Sequence, residues 1–155
     1  MVVQLLIFYY VLLPIFGVKI TGVQVSMVVF GLNSGAYISE IMRSGIQSVD
    51  PGQMEAGRAV GLSFGTSMIK IVIPQAVKNI LPALGNELIV LLKETSISGY
   101  IGLTDLTRGG DIIRSQTYSA LFPLLAVAAI YLIIVCFLTY LVGRLERRLR
   151  NNERK

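Results

Sequence analysis

Residues Glu55 to Pro74 read EAGRAVGLSFGTSMIKIVIP and join two long apolar segments. Punctuation frames the stretch. Asp50 can cap a helix, and Pro51 suits the first helical position, where a missing N–H costs nothing. Gly61 can end that helix in a left-handed conformation that a side chain would oppose. Ser63 can then cap another helix. The spacing predicts a short helix from Pro51 to Val60, a bend at Gly61, and a second helix running into the next apolar segment. A polar loop with one routine helical turn would satisfy the same punctuation.

The flanking segments set the class. Of 155 residues, 54% are hydrophobic and 15% charged, against about 25% charged in ordinary soluble domains. The mean hydropathy is +0.69. Apolar material on this scale, gathered into long runs, means an all-α integral membrane bundle. The net charge of +5 comes mainly from one end, which argues against nucleic acid as a partner. The chain has no His and one Cys, Cys136, so it holds no internal disulfide and no histidine-based metal or catalytic site. Met1 leads directly into VVQLLIFYYVLLPIF without a basic n-region or a cleavage site, so no signal peptide is expected.

Four spans are expected. Residues 1–16 are apolar but short of the roughly 20 residues a straight span needs, and Pro14 and Gly17 close them. Residues 20–42 carry Gly31-x-x-x-Gly35, a spacing that lets helix backbones approach closely in lipid. Glycines are also simply common in membrane helices. Asn33, Ser34 and Glu40 point one face of this segment toward protein. The third span, about Ile71 to Leu92, is interrupted by Pro74, Lys78, Pro82, Asn86 and Glu87. An ionisable group near mid-span costs roughly 2.5–3.5 kcal/mol unless it finds a partner or water. Glu94 follows Glu87 by two helical turns on the same stripe. Asn86, Glu87 and Glu94 are therefore candidates for a translocation path. Glu87 could equally pair with a neighbouring helix and only hold the bundle. Residues 95–117 are polar, with room for a short amphipathic helix. The last span lies between Ser115 and Gly143, which hold no charged residue between them.

Basic residues orient these spans. The side of the Glu55 loop and the C-terminus holds Arg43, Arg58, Lys70, Arg144, Arg147, Arg148, Arg150, Arg154 and Lys155. The opposite side holds Lys19, Lys93, Arg108 and Arg114. Nine against four places the loop and both termini in the cytoplasm. A lipid headgroup anchor suffices for the basic tail.

The loop also has a fixed pattern: Glu55-Ala56-Gly57, three residues, Gly61, nine residues, Ile71, one residue, then Ile73-Pro74. It resembles the signature loop of the permease subunits of binding-protein-dependent ABC importers: Glu-Ala-Ala, three residues, Gly, nine residues, Ile, one residue, Leu-Pro. Every spacing is kept, with Gly57 for the second alanine and Ile73 for the leucine. Gln75-Ala76, LLKETS from Leu91 and IGLTDL from Ile101 look like the polar amino-acid branch, of histidine, glutamine or arginine type. The resemblance covers essentially all of residues 1–155 as one transmembrane domain, with the signature loop at about 50–74. It implies two cytoplasmic ATP-binding subunits, a second permease that is identical or different, and an extracytoplasmic substrate-binding protein. It implies a bacterial cell-membrane location and an ATPase-coupling role for Glu55, Ala56, Gly57, Arg58, Gly61, Leu62 and Ser63. Because the family has a further helix before this point, a chain lacking its first helix is expected.

The sequence holds no phosphate-binding GxxxxGK[ST] loop, no HExxH and no GxSxG. No catalytic residue, metal or cofactor is expected, and the energy for transport must come from a partner. The alternative reading is a non-transporting truncated relic or structural bundle.

Overall fold

The computed structural model describes residues 1–151, with side-chain surroundings through Leu149, and these residues are all-helical. Arg154 and Lys155, counted above in the basic tail, lie outside the described residues. Six helices follow one another. Helix α1 is Val2–Phe16, α2 is Gly22–Gln47, and α3 is the nine-residue Pro51–Ala59. Helix α4 covers residues 64–94 as three joined stretches, Phe64–Ser67, Met68–Val72 and Ile73–Glu94. A tight 3-10 turn, Thr95–Ile101, leads on to α5, Leu106–Thr117, and α6, Leu121–Asn151.

Local chemistry explains the ends and irregularities. Thr21 and Gln24 form a reciprocal cap on α2: the Thr21 amide donates to Gln24 Oε1 at 2.9 Å, and the Gln24 amide to Thr21 Oγ1 at 3.4 Å. Asp105 caps α5 by accepting from the Arg108 amide at 2.8 Å. Two wide π turns, Phe8–Leu12 and Met68–Val72, come just before Pro14 and Pro74. Proline lacks an N–H, and its ring collides with the carbonyl four residues back. A turn widened by one residue moves that carbonyl aside and lets the helix continue.

The chain divides into two compact units, one of residues 1–35 and 89–138, the other of 36–88 and 139 onward. The first unit has a small core of Leu5, Val25, Val29 and Ile101. In it, α5 meets α6 at Gly110, where a side chain would run into Val127. The second unit is built around Val49, Val72 and Ala76, with Met54, Met68 and Ile80 against them. Two glycines mark close helix crossings there. A methyl group at Gly45 of α2 would overlap Ile80 of α4, and one at Gly85 of α4 would lie 2.8 Å from Val142 Cγ2 of α6.

These cores are small beside the apolar surface left open. Only 6% of the apolar stretch of α6 is covered by the rest of the chain, and Leu121, Phe122, Leu132, Ile133 and Phe137 are all exposed. A helix apolar all round is stable in that state in lipid, not in water. Among the described residues, Gly22–Gln47 and Leu121–Leu149 are long and apolar enough to cross a bilayer. Val2–Phe16 is apolar but short, and Ile73–Glu94 has the length but also Lys78, Glu87, Lys93 and Glu94. The 31 residues of α6 span about 46 Å at 1.5 Å each. That exceeds the roughly 30 Å hydrocarbon core, which leaves enough length for the basic end from Arg144 to lie outside it.

Candidate functional site

The bend between α3 and α4 forms as its residues dictate. The Asp50 carboxylate accepts from the Gly52 amide at 2.9 Å, and Pro51 opens the helix. The C-terminus is closed by a double backbone bond. The Gly61 amide donates to the Arg58 carbonyl at 3.0 Å, and the Leu62 amide to the Gly57 carbonyl at 3.2 Å. This closure requires a left-handed residue just after the helix, and Gly61 supplies it at φ +90°. Two residues later Ser63 Oγ accepts from the Thr66 amide at 3.2 Å and starts α4. The chain thus reverses through Gly61-Leu62 with all of these terminal donors satisfied.

The bend presents one face outward and one inward. Glu55, Ala56, Arg58, Gly61, Leu62 and Ser63 are all exposed. Among the described residues neither Glu55 nor Arg58 has an ion-pair partner. Val60 and Phe64 add apolar area beside them, 78% and 58% exposed. Gly57 differs: it is buried, and a methyl group there would lie 2.8 Å from both Ser67 Oγ and Ile71 Cδ1. Its small size serves the joint between α3 and α4 of the same chain rather than the outward face.

On α4, Asn86 is exposed, while Glu87 and Glu94 are half-buried. Glu87 and Lys78 are each engaged by other groups. Seven residues separate Glu87 from Glu94, about 10.5 Å along the axis, so the carboxylates do not touch. In the first unit an open hollow of about 540 Å³ is lined by Tyr10, Ser96, Tyr100, Asp105, Arg108 and Asp111, among others. Asp111 pairs with Arg114 at 2.7 Å and Arg108 at 3.5 Å. None of the three expected path residues lines this hollow. The sequence signals that touch it are the LLKETS and IGLTDL strings, which contain Ser96 and Asp105. Among the described residues no group of His, Cys, Asp or Glu is placed to hold a metal ion.

Comparisons with known proteins identify the family. The family described as binding-protein-dependent transport system inner membrane component matches residues 1–151. The arginine transport system permease protein ArtQ of Bacillus subtilis is 42% identical over 153 residues, covering 99% of this chain and 70% of that protein. The glutamine transport system permease protein GlnP of Escherichia coli is 39% identical over 150 residues, covering 96% and 68%. A crystal structure of an amino acid ABC transporter with histidines superimposes with a TM-score of 0.89 at 48% identity, covering 95% of this chain and 68% of that one. In such systems the ATPase is a separate subunit, and a binding protein delivers the substrate. The chain therefore belongs to the inner-membrane permease components of binding-protein-dependent ABC importers.

Proposed function

We propose that this permease carries a polar amino acid and takes its energy from an ATPase subunit docked on the bend between α3 and α4. The supporting observation is the outward face of that bend: exposed Glu55 and Arg58 without ion-pair partners, flanked by apolar Val60, Leu62 and Phe64. A charged and apolar surface of this kind outside the lipid-facing helices suits a protein partner. The amino-acid class is supported by relatives described as arginine and glutamine permeases. In this reading α1, α2, α4 and α6 are four spans with both termini and the bend in the cytoplasm, which the excess of basic residues on that side supports. Asn86, Glu87 and Glu94 line the path on α4. A second permease packs on the Gly31 and Gly35 stripe of α2, where a methyl group added at either glycine would meet none of the described residues within 4 Å beyond its chain neighbours and the helix backbone.

The test is ATPase activity of the complete complex, reconstituted with its binding protein and offered arginine, glutamine or histidine. Gly61→Val and Glu55→Ala should leave the permease and ATPase co-purifying while the stimulation by loaded binding protein falls several-fold. Full stimulation in both variants would mean that the bend is not the coupling element.

A further inference from the structure

One stripe of α4, at a strict spacing of four, meets three positions of the segment that precedes the bend. Its members are Ser67, Ile71, Gln75 and Asn79. Gly57 lies against Ser67 and Ile71. Gln75 Nε2 donates to Gln53 Oε1 at 3.5 Å and, more tightly, to the Ile71 carbonyl at 3.0 Å. Asn79 Nδ2 donates to Ser48 Oγ at 2.8 Å, and that hydroxyl in turn donates to the Gly45 carbonyl at 2.8 Å. The order is antiparallel: positions 57, 53 and 48 descend as 67, 75 and 79 ascend. The stripe runs over twelve residue steps, about 18 Å of α4.

We propose that Asn79 and Gln75 are positioning residues for energy coupling, tying the segment from Ser48 to Gly57 to α4. The inference rests on the coupling role proposed for the bend. Two-residue bends are compliant, and Gly61-Leu62 alone would let α3 swing without moving α4. The stripe removes that freedom at points well away from the bend. Its shortest bond between segments, Asn79 to Ser48 at 2.8 Å, ties the residue just after α2 to α4 as well, so a push on α3 is delivered to both helices. Gln75 adds a second function. Its amide closes on the Ile71 carbonyl beside the wide turn Met68–Val72, the place where α4 would otherwise yield. A push on α3 is then carried up α4 as a rigid-body displacement toward Pro82 and Glu87.

The experiment uses the full reconstituted complex and reads amino acid transported per ATP hydrolysed, with arginine, glutamine and histidine as probes. Ser48→Val keeps the side-chain volume of Ser48→Thr but lacks the hydroxyl. Ser48→Thr should couple as the parent does. Ser48→Val and Asn79→Leu should each lower the ratio by about three- to tenfold, the range expected for one hydrogen bond. The double variant should be no worse than either single one, because both remove the same bond. Membrane abundance and co-purification of the ATPase should stay unchanged. Equal coupling in Ser48→Val and Ser48→Thr, with Gly61→Val uncoupled, would overturn the stripe's role and leave the bend's role intact. Normal coupling in Gly61→Val and Glu55→Ala as well would overturn both. If Asn79→Leu fails to assemble, the Ser48 pair alone decides.

Discussion

Gly61 shows how much one residue can fix. Its left-handed conformation closes α3 with two backbone bonds and sets the direction in which α4 departs. A β-branched side chain there brings strain on the order of 1–3 kcal/mol, enough to re-aim a short helix without removing any core contact. The role proposed for Glu87 rests on its carboxylate instead. It is half-buried and engaged on a helix that is otherwise mostly apolar. Glu87→Gln should reach the membrane normally yet lower amino-acid uptake, and Glu87→Leu should lower it further. The loss expected is roughly tenfold or more, as for one charge-assisted bond. Uptake by proteoliposomes of the complete complex measures this, and parental uptake by both variants would leave Glu87 without a role in the path.

At the scale of elements, glycine marks where helices meet. Gly45 faces Ile80, and Gly85 faces the stiff β-branched Val142. Gly45→Val and Gly85→Val should each cost about 1–3 kcal/mol through overpacking, seen as a lower unfolding midpoint of the purified protein in detergent. Gly31→Val, with open space around it within this chain, should leave the midpoint of the monomeric permease where it is. The bend itself was legible in the sequence because Asp50, Pro51, Gly61 and Ser63 each act on backbone groups within three residues. The burial of Gly57 was not legible, since it depends on Ser67 and Ile71 arriving across the bend. The Ser48–Asn79 bond spans 31 positions, and no local pattern announces it. The wide turns before Pro14 and Pro74 were hidden for a related reason: proline shows that a helix must adjust, not how. The third expected span is the most polar of the four, so its charges identify it as protein-facing while obscuring it as a membrane crossing.

Across the whole molecule, most large apolar side chains are turned outward, and most of the charges lie at the bend, along α4, in α5 and at the end of α6. In the proposed function such a chain is completed by its surroundings: lipid around α6, a second permease along α2, and an ATPase under the bend. The last of these is the central claim, and site-specific photo-crosslinking tests it directly. A photoreactive side chain at Ala56, exposed on α3, is compared with one at Gln116, exposed near the end of α5. In the complete complex in proteoliposomes, Ala56 should yield an adduct with the ATPase subunit and Gln116 should not. An adduct from Gln116 with none from Ala56 would place the ATPase on the opposite side and contradict the account.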